Sequence, residues 1–283
     1  MNNTLLLLLN GLTYGGLLFI IASGFTLIFG LMRVVNMAHG TFYILGAYVA
    51  YSIQQQTGNW VLGVIGATIS VGLTAIIVQW LVTRVEGDMP RTLLTIGASL
   101  IMADLALWIW GGLPLRLRAP DVLREPTTIG DFMYPTYRLF VLVVAVVIAI
   151  GLWIMMYRTR VGMIIRAGVD NRAMVSALGI NIDRMFVLIY VLGGLLTGFS
   201  GALGGSYIAF GPGTDFTFLL YALIVVMVGG MGSLAGSAVG ALIVGLVDSF
   251  GRTYFSELAI FLLSGTLIVI LAFRPQGLFG KSA

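Results

Sequence analysis

Few side chains in this 283-residue sequence could do covalent or proton chemistry. His39 is the only imidazole, and cysteine is absent. Disulfides, thiolate metal sites and cysteine nucleophiles are therefore excluded together, and an intramembrane hydrolase would have to take its general base from this one histidine. No catalytic residue and no metal ligand set is expected. His39 lies in the polar interlude RVVNMAHG, two residues after Met37 and beside Asn36 and Gly40. It is read as hydrogen-bonding with Asn36 to backbone groups freed where a helix breaks; a proton carrier is the alternative. Asp104 stands inside an apolar run, where a central aspartate costs about 2.5–3.5 kcal/mol to insert. Such an acid is a candidate for a solute path, with a protonated or hydrogen-bonded acid facing another helix as the alternative. A third candidate fails on inspection: PQGLFGKS at 275–282 imitates a phosphate-binding loop, but Pro275 replaces its first glycine and no helix is expected to follow.

The elements that must position these groups are membrane spans. The chain is 59% hydrophobic and 9% charged, against about 25% charged in a soluble domain. Apolar runs of about 20 residues recur throughout, each enough to cross a hydrocarbon core of about 30 Å as a helix. The expected fold is all-α: a polytopic membrane protein of about eight to nine transmembrane helices, one of them broken or short, in a single domain spanning 1–283. Met1–Leu31 has no basic flank and is kept as the first span rather than a signal peptide. The second apolar segment, Thr41–Ile53, is short and should begin inside the membrane. Later spans fall at Trp60–Val82, Thr92–Leu113, Leu139–Tyr157, Met185–Ala209, Phe216–Val228, up to Val247, and Leu258–Phe273. Pro114–Arg138 reads as an external loop, and Asp248–Glu257 as a polar link. Trp108 and Trp110 read as outer-interface anchors. Gly229–Gly240, with Gly230 and Gly232, is a tight turn, a re-entrant piece or two closely packed helix ends.

One interruption is different in kind. RTRVGMIIRAGVDNRAMVSALGINIDR, residues 158–184, holds five arginines and two aspartates. As a helix from Gly162 to Leu178 it would set Arg166, Asp170 and Asn171 on one side and Ile165, Met174 and Leu178 largely on another, the pattern of a segment lying along the interface or docking on a partner. It also fixes orientation. With the amino end out and the carboxyl end in, ten of the fifteen basic residues are cytoplasmic and five external.

Four motifs together resemble one family. Gly162, Arg166, Ala167, Asn171, Gly179 and Ile180, with a small residue at Ala177, resemble the cytoplasmic coupling loop of branched-chain amino acid ABC importer permeases. Asn36, Ala38, His39 and Gly40 with Gly46, Ala47 and Tyr48 are similar to the N-x-A-H-G…G-A-Y signature of the H-type subunit. Gly229-Gly230-Met231-Gly232-Ser233 is similar to its G-G-x-G-S turn, and Arg274-Pro275-Gln276-Gly277-Leu278 to its R-P-Q-G-L terminus. The family commonly has an acid where Thr41 stands and a lysine near Tyr221, so two charges are missing from the route.

The resemblance implies an ABC importer permease fold in the bacterial cytoplasmic (inner) membrane, multi-pass in the lipid bilayer, carrying branched-chain or related neutral amino acids. It implies a second related permease in a heterodimer, two cytoplasmic ATPase subunits and an extracytoplasmic solute-binding protein. ATP and Mg would be bound by the ATPases, with no cofactor on this chain and no nucleic-acid partner. Gly162, Arg166, Ala167, Asn171, Ala177, Gly179 and Ile180 would contact the ATPase. Asn36, His39, Gly40, Thr41, Tyr48, Asp104, Gly229, Gly230 and Gly232 would lie at the translocation path or a helix break. The alternative is a self-sufficient secondary transporter or channel using carboxylates such as Asp104 and Asp248.

Overall fold

A computed structural model describes residues 2–32, 35–129, 132–170 and 172–280. Charge-free runs in lipid have only their own backbone to satisfy N–H and C=O groups, so they wind into helices. In chain order these are α1 (Asn2–Met32), α2 (His39–Thr57), α3 (Trp60–Thr83), α4 (Asp88–Trp110), α5 (Thr136–Arg158), α6 (Arg160–Asp170), α7 (Arg172–Ala177), α8 (Ile182–Tyr207), α9 (Thr214–Gly229), α10 (Leu234–Tyr254) and α11 (Ala259–Phe273). By length and composition α1, α3, α4, α5, α8 and α10 are able to cross a membrane, and α9 and α11 are shorter apolar helices. With α2, whose last turn carries Gln54, Gln55 and Gln56, they make nine membrane-scale helices among the described residues.

Glycine decides how closely these helices pack, because in lipid van der Waals fit rather than hydrophobicity holds them together. A Cβ at Gly15 would stand 2.8 Å from the Ala241 carbonyl oxygen, so α1 meets α10 backbone to backbone. A Cβ at Gly198 of α8 would stand 2.6 Å from Val71 of α3, and Gly46 of α2 abuts Gly198 from another side. The centre of the bundle is therefore α1, α2, α8 and α10. α3, α4, α5 and α11 turn residues such as Ile77, Leu100, Val147 and Ile268 outward.

α2 starts deep in this bundle. His39 reaches the carbonyl of Ile21, eleven residues and about 16 Å of helix from the Met32 end of α1. The Val35–Ala38 link thus climbs back into the protein, where Asn36 and Ala38 are buried.

The connections sort to two ends. At one, Gln54 exchanges hydrogen bonds with the backbone of Arg118, and Leu115 bridges Phe210. At the other, Gly30 approaches Gly232, and Leu278 and Phe279 N–H donate to the Val228 and Gly229 carbonyls at 2.9 Å.

Two expectations are corrected. The Pro114–Arg138 connection is not all loop: β1 (Pro126–Ile129) pairs antiparallel with β2 (Phe132–Pro135). The prolines oppose each other at the end of the ladder, where a missing N–H is tolerated. α10 runs on to Tyr254 instead of ending at Val247, because Asp248 and Arg252, one turn apart, pair at 2.7 Å on one face. The segment after α5 is helical at 160–170 and 172–177, and Asn171 lies outside the described residues.

Candidate translocation and coupling sites

At the start of α2, Asn36 Oδ1 accepts from Ala38 N–H at 3.1 Å and the Asn36 carbonyl accepts from His39 N–H at 3.2 Å. His39 is fully buried; its Nε2 lies 2.9 Å from the Ile21 carbonyl, and since a carbonyl only accepts, Nε2 carries the proton. The Thr197 hydroxyl is 3.1 Å from the same nitrogen and itself donates to the Gly193 carbonyl at 2.6 Å. Phe25 packs edge-on against the imidazole, 5.3 Å between centroids. The ring is enclosed by α1 and α8, so its geometry is that of a clamp between three elements. The Asn36 amide Nδ2 is buried without a partner among the described residues.

Beside this break a cavity of about 590 Å³ opens between α2, α4 and the first turn of α9. Tyr48, Ser99, Asp104 and Asp215 supply its polar groups against Ile44, Leu107 and Leu219. Three sequence candidates meet here: Tyr48 and Asp104 line it, and Thr41 hydrogen-bonds Ser99 at 2.6 Å on its rim. Gly40 lies next to it, since a Cβ there would collide with the Asp215 carbonyl and stand 2.8 Å from Leu219 Cβ. Asp104 is exposed and has no hydrogen-bond or ion-pair partner among the described residues. No lining residue is basic. The arrangement offers negative charge and hydroxyls above apolar walls, suited to a small solute with an ammonium or amide donor and an aliphatic part.

Sequence reasoning missed Asp215, Ser99 and Trp110. Asp215 hid in the GPGTD turn, which read only as a connection. Trp110, taken with Trp108 for an interface anchor, instead turns inward, stacks on Tyr48 at 4.8 Å and donates to Ser52 Oγ at 2.6 Å; Trp108 is 84% exposed. The signal for the difference was available in the spacing, because Trp110 lies one helical turn beyond the buried Ala106.

Gly229, Gly230 and Gly232 sit elsewhere, at the α9–α10 turn on the opposite end. Gly229 lets α9 touch the Gly236 carbonyl, while Gly230 (φ 105°) and Gly232 (φ 82°) take left-handed conformations that a side chain would strain. Two motifs quoted separately, G-G-x-G-S and R-P-Q-G-L, prove to be one unit: Leu278 and Phe279 hydrogen-bond across this turn.

The arginine-rich segment forms an elbow. A Cβ on Gly162 would collide with the Met155 and Met156 carbonyl oxygens, so only glycine lets α6 fold back on α5. Arg166 donates to the Met156 carbonyl and stacks over Tyr157 at 4.9 Å, so it braces the elbow from inside. Ile165 and Val175 are buried, whereas Met174 and Leu178 face outward. That corrects the expected apolar face: at 3.6 residues per turn Met174 lies about half a turn around from Ile165, so the two do not share a side. Ala167, Ala177 and Gly179 are exposed and Ile180 half-buried, with Gly179 at φ 78° closing α7.

Residues 7–271 match the family model described as branched-chain amino acid transport system / permease component. The chain is 27% identical over 292 residues to the high-affinity branched-chain amino acid transport system permease protein BraD of Pseudomonas aeruginosa, covering 97% of this chain and 95% of that protein. It is 27% identical over 294 residues to the corresponding permease protein LivH of Escherichia coli, covering 96% and 94%. It is 25% identical over 293 residues to the probable branched-chain amino acid transport permease protein LivH of Methanocaldococcus jannaschii, covering 97% and 92%. No solved structure matches.

Proposed function

Because the chain belongs to the branched-chain amino acid transport system / permease component family, we propose that it is the membrane permease subunit of an ABC importer for branched-chain or related neutral amino acids. The observation that carries this reading is the near full-length correspondence with permeases named for that transport. The cavity bounded by Tyr48, Asp104 and Asp215 is then this chain's part of the solute route.

Energy comes from outside the chain. The segment that folds back from α5, with Ala167, Ala177, Leu178 and Gly179 on its surface, is where a cytoplasmic ATPase rests. Arg166 and Gly162 act behind it by fixing the elbow to α5. ATP and Mg sit on the two ATPase subunits, a related permease completes the membrane pair, and a binding protein delivers solute from outside. The membrane is the bacterial cytoplasmic membrane, with the amino end out and the carboxyl end in. Asp248, the second carboxylate that a self-powered transporter would need, is engaged by Tyr221 at 2.6 Å and Arg252 at 2.7 Å, so it is not free to bind a coupling ion.

The test is reconstitution. Liposomes holding the permease pair, ATPases and binding protein should take up leucine, isoleucine or valine only with ATP inside. Ion-gradient uptake by this chain alone would overturn the reading.

A further inference from the structure

The contacts between α2 and α4 fall in one register. Met37 N–H donates to Thr95 Oγ1 at 3.1 Å, the Thr41 and Ser99 hydroxyls lie 2.6 Å apart, and Trp110 Nε1 donates to Ser52 Oγ at 2.6 Å; each pair is separated by 58 residues. Two helices running parallel with the same rise keep such a constant offset. α4 is thus fastened to α2 near both ends, and the cavity lies between the fastenings, with Ala103 and Asp104 opposite Ile44 and Tyr48. Elsewhere α4 is loosely held: only Thr95 and Ala106 of its residues are buried.

The outer two of these three fastenings differ in kind, and the Thr41–Ser99 pair lies between them, two residues beyond Gly97. Thr95 is buried, and its hydroxyl both accepts the Met37 N–H and donates to the Thr92 carbonyl at 2.8 Å. Breaking that contact would leave the hydroxyl of a buried threonine without one of its two partners. Ser52 and Trp110 are half-buried beside the connecting loops, where water can replace either partner. Between them lies Gly97, next to the buried fastening, and a Cβ there would meet nothing within 4 Å. Glycine weakens a helix interior, and at this position no close approach demands it. Gly111, at φ 78°, ends α4 there, its N–H donating to the Leu107 carbonyl at 2.9 Å.

We propose that α4 is the moving wall of the cavity: it bends at Gly97, parting the Thr41–Ser99 hydroxyls while the Thr95 fastening holds, and the Trp110–Ser52 contact, backed by the Tyr48 stack, is the latch that shuts it. This deepens the transport reading by assigning how its solute route opens, and it rests on that reading for the solute only.

The sequence has no cysteine, so Ala103→Cys places a sole thiol in this chain on the cavity wall. In membrane fragments carrying the full chain, open to reagent on both faces, the rate of alkylation by a water-soluble maleimide reads the opening. Adding Ser52→Ala, or Trp110→Phe, which keeps a ring on Tyr48, should speed alkylation. Adding Gly97→Ala should slow it without lowering the melting temperature, since the methyl has room and alanine favours the helix. Gly151→Ala in α5, another glycine with nothing within 4 Å, should change nothing. Equal rates in all variants, or a Gly151 effect as large as that of Gly97, would overturn the proposal. The readout needs neither ATP nor partner subunits, so its failure leaves ATP-driven uptake standing, and loss of that uptake leaves the latch standing.

Discussion

Asp248 illustrates how this bundle accommodates an acid at membrane depth. Its side chain is 6% exposed, and both oxygens are occupied, Oδ1 by the Tyr221 hydroxyl and Oδ2 by Arg252 Nε; Arg252 Nη2 also reaches Tyr221 at 2.9 Å. Removing the guanidinium leaves a largely buried carboxylate with one neutral partner, at a cost of about 1–3 kcal/mol. Arg252→Gln should therefore lower the thermal midpoint of the purified chain, and Arg252→Gln/Asp248→Asn should recover part of the loss because the charge is gone. Gly40 makes a sterically sharper case. Its missing Cβ leaves room for the Asp215 backbone, which cannot swing aside as a flexible side chain would. Gly40→Ala should cost about 1–3 kcal/mol as overpacking and move α9 against the cavity, seen as a lower melting temperature together with weaker uptake.

At the level of elements, the α5–α6 elbow turns on one residue. Gly162→Ala forces the elbow off the Met155 and Met156 carbonyls, and in the assembled transporter ATP hydrolysis should continue while uptake falls; unchanged uptake would show that the elbow transmits nothing. The long helices were legible because lipid forces periodic apolar runs into a single answer, and Trp60–Thr83 was placed to within a residue of its observed ends. What escaped was whatever depended on a partner distant in sequence. Asp248 looked like the edge of a polar link, since Tyr221 on α9, which gives it a reason to stay helical, is 27 residues away. Trp110 looked like an anchor because its partners Tyr48 and Ser52 lie on α2. Likewise Arg166 read as a contact residue, and only the fold-back of α6 aims it at Met156. Of the candidate path, the residues of α2 and α4 came together, while the glycines of the α9–α10 turn belong to a structural seal with the chain's last motif.

For the molecule as a whole, the proposed orientation rests on the basic residues, which it would divide ten to five between the two faces. A reporter active only in the cytoplasm should function when fused after Gly280 and stay silent when inserted between Leu123 and Pro126, and the reverse pattern would invert the orientation. The deep start of α2 bears on how the chain comes to be assembled. Its first turn is held by His39, whose partners are Ile21, already in place, and Thr197, which is 158 residues further along. The α1–α2 entry is therefore left half-clamped while α3 to α7 are synthesised and inserted, and it closes only when α8 arrives. Met37 N–H of the link meets Thr95 once α4 is made, but the His39 ring must spend the whole interval with Ile21 alone, water or the insertion machinery. Maturation of this chain should accordingly show one late step, in which the α1–α2 connection becomes resistant to protease only after α8 has been made.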